Sequence, residues 1–219
     1  MPGGLGSGAA FNPSSPSSHA GCVAAIVAEF IDTAPPGPVR VLDIGGTFAF
    51  AARLPEGARA MAIVTVNPDT RVAAEFDDIR KLDPPDAAPY ANCFDLAMMF
   101  GVSMYMDADE LGFVLGETRR RLKPHGTMLV SDPDPDSVTG GLDVILKAAI
   151  HPVRQVPGIG RVLGALGIPA QKLTPWRAGA IEDALRAAHF SRVDRRPDLT
   201  PWGRGSYRLP PYFCLAARP

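Results

Sequence analysis

The chain has 219 residues, and its 22 Lys or Arg against 23 Asp or Glu leave a formal net charge of −1. A near-neutral sequence without aromatics interleaved among Lys and Arg offers a poor electrostatic footprint for a phosphate backbone, so no nucleic-acid partner is expected. No apolar run approaches the ~20 residues needed to span a bilayer, and no basic residue precedes Arg40, so the charged start of a secretory signal is missing.

These features predict a soluble cytoplasmic protein without a membrane partner, large enough to bury about 70% of its unfolded surface in one domain. The 22 Gly and 23 Pro point to long loops within a folded domain. Cys22, Cys93 and Cys214 are odd in number, far apart and without metal-ligand spacing, which predicts buried thiols and no metal site. Charge is unevenly spread: residues 1–146 hold 10 Lys or Arg against 19 Asp or Glu, while residues 147–219 hold 12 against 4. Either the two portions attract one another as they pack, or the C-terminal portion faces an anionic substrate.

Residues 1–19 are mostly Gly, Ser, Pro and Ala and are expected to be a disordered tail, leaving residues 20–219 as the domain. Val23, Ile26, Val27 and Phe30 recur at helical spacing, predicting a helix over 21–32 that the Pro35-Pro36-Gly37-Pro38 cluster ends. A buried strand follows at 39–44, then a short Ala-rich helix around 49–54 and a second strand at 60–66. A third extended segment is predicted at 72–79, too close to the second for the usual crossover helix.

Phe94 to Val102 is an apolar run of strand length. Asp107 and Glu110 have capping-box spacing and start a helix whose last turn carries Arg119, Arg120, Arg121 and Lys123, suited to the negative end of the helix dipole. Thr127 to Asp132 reads as another buried strand running into Pro133-Asp134-Pro135-Asp136. A helical pattern over 142–150 and a Gly- and Pro-punctuated span from 152 to 175 suggest a cap, with about 134–175 as the substrate segment. Ile181, Ala184, Leu185 and Ala188 mark a late amphipathic helix, and strands close the chain at 190–195 and 212–217. Alternation of strand and helix predicts an α/β fold.

The first strand is the most informative element. It ends in Asp43 and a Gly45-Gly46 turn, and ligands of open α/β sheets collect outside the carboxyl edge of the strands, where a missing Cβ lets backbone and ligand approach. With the block Phe94-Asp95-Leu96-Ala97-Met98-Met99-Phe100, and with Glu117 to Asp132 containing Arg-Arg-Leu-Lys-Pro-His-Gly-Thr-Met-Leu-Val, this order of features resembles the class I S-adenosylmethionine-dependent methyltransferases of the small-molecule type. The likeness runs from about residue 38 to the end and extends to Ala-Ala-His-Phe at 187–190, where that family often has Ala-Gly-Phe.

The resemblance implies a single Rossmann-like domain, a mostly parallel seven-stranded sheet with helices on both faces, and S-adenosylmethionine as cofactor. It places Asp43, Gly45, Gly46 and Thr47 against the methionine part, Asp78 and Ile79 at the adenine with Asp77 as a competitor, and Phe100 and Gly101 as the remaining wall. The sequence departs from the family at two points. The usual Gly-x-Gly-x-Gly reads Gly45, Thr47, Ala49, and the usual ribose-binding carboxylate is replaced by Thr65, with Asn67 two positions later. A hydroxyl or amide there lacks the charge assistance that roughly doubles such a bond.

Methyl transfer from a sulfonium asks the protein to align a nucleophile and exclude water. A base is needed only where the nucleophile carries a proton. His151, after a helix expected to cover the carboxyl edge, is a candidate base or an ordinary exposed or capping His; Asp132, at the end of the fifth strand, is a candidate for orienting or deprotonating substrate. His19, His125 and His189 read as structural or exposed. Ser103, Met104 and Tyr105 are candidate substrate contacts, Trp176, Trp202 and Tyr207 a candidate aromatic wall, and Arg154 and Arg161 candidate partners for a phosphate or carboxylate. The series Asp132, Asp134, Asp136 alternates with prolines, which hold the carboxylates apart and favour a polar loop over a metal site.

The expected activity is methylation of O or N on a small metabolite in small-molecule biosynthesis, with an anionic metabolite as a candidate substrate and a homodimer as a candidate assembly. The alternative is a non-catalytic methyltransferase-like binding or partner protein that has lost the cofactor. A nicotinamide enzyme is disfavoured, because Gly-x-Gly-x-x-Gly would need more than the first glycine of residues 45–50 in register.

Overall fold

The computed structural model describes residues 19–46, 61–66, 80–81, 91–138, 141, 174–196 and 212–219. The helices are α1 (His19–Thr33), α2 (Ala108–Arg121) and α3 (Ala178–Ala187). The strands are β1 (Val39–Ile44), β2 (Met61–Val66), β3 (Arg80–Lys81), β4 (Phe94–Phe100), β5 (Leu122–Pro133), β6 (Arg192–Arg195) and β7 (Tyr212–Arg218), with a 3-10 turn at Ser103–Tyr105.

They form one mixed sheet in the order β3-β2-β1-β4-β5-β7-β6. Every pair from β3 to β5 is parallel, and β7 runs antiparallel to both β5 and β6. The expected α/β fold is present. Five strands, β1 and β4 to β7, carry the described side-chain core, while β2 and β3 continue the sheet as backbone ladders.

Each face of the sheet has its own apolar layer. On one, Val23, Ile26, Val27 and Ile31 of α1 cover Val41, Leu96, Met98, Leu129 and Cys214. On the other, Leu111 and Leu115 of α2 with Ile181 and Leu185 of α3 cover Leu42, Ala97, Met99, Val130 and Leu215. Alternate residues of each strand serve alternate layers, the two-residue period of a pleated strand. Because both faces are covered, β4 is buried from Phe94 through Met99 and, Asp95 apart, reads as an apolar run.

Local signals act as expected in α2, where Glu110 N–H donates to Asp107 Oδ1 at 2.9 Å and Asp107 N–H to Glu110 Oε2 at 3.0 Å. The α1 helix begins at His19, two residues before the predicted start. Two strands differ more. The third lies at Arg80–Lys81, paired with Val64 and Thr65, beyond the 72–79 window; residues 67–79 lie outside the described residues, as do the helix expected near 49–54 and the span 142–173. β5 starts at Leu122, five residues before the predicted Thr127. Its ladder with β4 pairs Phe94 with Leu122, then slips before resuming at Leu96 and Thr127, so the Pro124-His125-Gly126 corner is absorbed as an irregularity.

At the amino edge of the sheet, Asp95 accepts from Lys123 Nζ at 2.7 Å and Arg40 N–H at 3.0 Å. Burial opposes its charged form, but these donors outweigh burial and hold its carboxyl below the ordinary range. This polar knot ties β1, β4 and β5 together far from their carboxyl ends. Cys93 and Cys214 are in no disulfide, and Cys214 is buried in the core.

Candidate active site at the carboxyl edge

Register decides which residues meet at the carboxyl edge. Asp43 lies level with Thr65 of β2 and Met98 of β4, and Phe100 lies level with Ser131 of β5. Thus Asp43, Thr65, Phe100 and Asp132, scattered over the sequence, sit near the ends of four adjacent parallel strands.

β1 and β4 leave the sheet in the same way. Gly45 has φ +69° and Gly101 has φ +71°, a left-handed conformation that L side chains rarely adopt. A β-carbon on Gly45 would meet Cγ1 and Cγ2 of Val102 at 2.7 Å, so the β1 turn packs directly on the residue following Gly101. A β-carbon on Gly101 would meet no described residue within 4 Å. Gly46 is needed for another reason: its missing β-carbon makes room for the Asp43 carboxylate, which is itself buried. A close backbone and a buried carboxylate at the hinge are chemically compatible with the implied cofactor.

Beyond Gly101 the chain folds over the end of β5. Gly101 N–H donates to Ser131 O at 2.7 Å, and the 3-10 turn places Ser103 directly on Asp132. Ser103 Oγ donates to Asp132 Oδ2, and both residues are buried. Asp132 Oδ1 has no hydrogen-bond partner among the described residues. Burial dominates and raises the Asp132 carboxyl from 3.8 to about 7, while the Ser103 hydroxyl and the amides of Met104 and Ser103 pull the other way. Burial, and secondarily the charge of Asp132, raises the nearby Tyr105 phenol.

Trp176 reaches the same turn from the approach to α3. Its Nε1–H is shared between Ser103 O at 3.0 Å and Met106 O at 3.3 Å, and Thr174 N–H donates to Met104 O at 2.7 Å. Asp134 and Asp136 do not converge on Asp132. Asp134 Oδ1 accepts from Asp136 N–H at 3.1 Å, and Asp136 pairs with Arg177 at 3.0 Å. Among the described residues no three His, Cys, Asp or Glu groups are placed to hold a metal ion.

The structure therefore brings Asp43, Gly45, Gly46, Phe100, Gly101, Ser103, Tyr105, Asp132 and Trp176 to one edge, with the backbone of Thr65 beside them. Thr47, Asn67, Asp78, Ile79, His151 and Arg154 lie outside the described residues, as do Arg161, Trp202 and Tyr207. Val102 went unrecognised as part of the site. The available signal was an apolar β-branched residue immediately after the strand-ending glycine. His125 is exposed and 3.7 Å from Asp95 at the opposite edge, and His189 caps α3.

No protein-family model matches the sequence, and no curated protein matches it. Solved structures do match by shape. A SAM-dependent methyltransferase from Archaeoglobus fulgidus superposes with a TM-score of 0.59 at 16% identity, over 92% of this chain and 95% of its own. The 1,6-didemethyltoxoflavin-N1-methyltransferase of Burkholderia thailandensis, solved with bound 1,6-didemethyltoxoflavin and S-adenosylhomocysteine, gives 0.55 at 19% identity over 92% of this chain and 78% of its own. Human N-acetylserotonin methyltransferase, solved with SAM, gives 0.54 at 14% identity over 90% of this chain and 51% of its own. The chain likewise spans 56% of a Nostoc punctiforme structure of this fold. At such identities the likeness establishes the fold, which is that of the class I S-adenosylmethionine-dependent methyltransferases.

Proposed function

We propose that this chain is an S-adenosylmethionine-dependent methyltransferase acting on an oxygen or nitrogen of a small metabolite. One observation carries the reading: the adjacent parallel strands β1 and β4 leave the same sheet edge through left-handed glycines, one with Asp43 buried behind it and the other with no described residue within 4 Å of a β-carbon.

On this reading Asp43, Gly45, Gly46 and Thr47 hold the methionine part of the cofactor. Thr65 and Asn67 serve its ribose, Asp78 and Ile79 its adenine, and Phe100 and Gly101 complete the wall. When bound, the cofactor supplies an electrophilic methyl group on a sulfonium. The chain's own work is to align the acceptor and exclude water. Asp132, with its carboxyl near 7, suits a group that orients the acceptor or holds its proton. At 2% exposure it is closed to an acceptor, so orientation of the Ser103–Tyr105 turn through the Ser103 bond is its first role. His151 is then the candidate base, Tyr105 an acceptor contact, and Arg154 the partner for an anionic acceptor. Among the described residues no helix is long and apolar enough to cross a membrane.

Calorimetric titration with S-adenosylmethionine and S-adenosylhomocysteine tests the proposal. Saturable binding of both is expected. A folded sample that gives no heat at high micromolar concentrations leaves a methyltransferase-like scaffold without cofactor.

A further inference from the structure

Three hydrogen bonds from residues 174–176 converge on one short turn. Thr174 N–H takes Met104 O, and the Trp176 indole is shared between Ser103 O and Met106 O. Ser103 O also receives Met106 N–H at 3.0 Å, so both its acceptor positions are used. The turn makes contact in two further directions. Its leading residue, Val102, abuts the Gly45 turn, and its Ser103 hydroxyl is bonded to Asp132.

The indole is half-buried against the α2/α3 core layer, and its N–H is already engaged by the protein. A side chain used in this way acts on the site by fixing backbone.

We propose that Trp176 is a positioning residue: its indole N–H locks the Ser103–Tyr105 turn, which sets Val102 against the Gly45 turn on the cofactor side and Ser103 on Asp132 on the acceptor side. The cofactor half of this inference rests on the methyltransferase reading. The Ser103–Asp132 half stands without it. Removing the N–H leaves Ser103 O with the Met106 amide alone and takes the indole bond from Met106 O, and the turn then loses the orientation that delivers the Ser103 hydroxyl. A hydroxyl that donates to a carboxylate favours its ionised form, so weakening the bond raises the proton affinity of Asp132.

The test uses Trp176→Phe, which keeps an aromatic ring and deletes the N–H, and Ser103→Ala, which deletes only the hydroxyl. Two quantities are measured: S-adenosylhomocysteine affinity by calorimetry, and the titration midpoint of Asp132 by carboxyl-carbon NMR on the full chain. Trp176→Phe is expected to weaken S-adenosylhomocysteine about 3- to 10-fold and to move the Asp132 midpoint upward, in the same direction as Ser103→Ala. A merely structural indole would lower the melting temperature and leave the midpoint in place. If wild type binds the cofactor product and Trp176→Phe matches it in both affinity and midpoint, the proposal is overturned. If wild type does not bind, the methyltransferase reading fails, and the midpoint alone decides the role of Trp176. Should Trp176→Phe fail to fold, Thr174→Pro, which deletes the neighbouring N–H, takes its place with the same expectations.

Discussion

The carboxylate of Asp43 lies in the space that a β-carbon at Gly46 would occupy. The second glycine of the β1 turn is thus required by a neighbouring side chain, whereas the first is required by backbone conformation and by Val102. Gly46→Ala should expel the carboxylate from its buried position and weaken S-adenosylhomocysteine at least ~10-fold, equivalent to about 1.4 kcal/mol. Gly45→Ala forces a side chain into a left-handed residue at a cost of about 1–2 kcal/mol and into Val102 as well. Both variants should lose affinity in calorimetry. Unchanged affinity in both would move the cofactor away from this turn.

Asp132 makes stability depend on pH. Burial raises its folded carboxyl from 3.8 to about 7, so between those values the folded chain keeps a proton that the unfolded chain has released. The contribution of Asp132 to stability is therefore most favourable below about pH 4, declines as pH rises towards 7, and carries the full penalty above that. Asp132→Asn removes the titration. Between about pH 5 and about pH 8 the wild type should lose about 2–3 kcal/mol relative to the variant in urea denaturation. A difference that stays constant across that range would show that the carboxyl does not titrate as described.

His189 occupies a glycine's conformation. Its φ of +65° ends α3 where the related Ala-Gly-Phe pattern has Gly, and its carbonyl accepts Arg119 Nε–H at 2.7 Å. Because that bond uses backbone, His189→Gly keeps it while relieving the left-handed strain. A gain of about 0.5–1 kcal/mol is expected, visible as a higher melting temperature. A loss would mean that the imidazole makes a contact worth more than the strain.

Gly112 and Gly116 lie in α2, and a β-carbon on either meets no described residue within 4 Å. Neither has positive φ. Substitution by Ala should stabilise the helix by about 0.8–1 kcal/mol each, because Ala restricts the unfolded chain where Gly does not. Thermal unfolding of the single and double variants checks both the size and the additivity. Destabilisation by either would place an unseen partner against that face of α2.

Much of the fold was legible because its signals are local. Asp107 and Glu110 announce a capping box within one turn, Pro35 to Pro38 stop a helix wherever they occur, and the apolar run of β4 follows from burial on both faces. The Gly45-Gly46 turn after a buried strand was likewise readable, since a tight left-handed turn demands glycine. The start of β5 was misjudged because Pro124 and Gly126 signal a break, and a ladder slip against β4 absorbs it. Which polar groups face one another was not in the sequence at all. Ser103 and Asp132 are 29 positions apart and Trp176 is 73 from Ser103; only the packing of α3 and the bend after β4 brings them together. The near-neutral carboxyl of Asp132 has the same origin. It is a property of the water excluded around the group, and that exclusion exists only once the chain has folded around the end of β5.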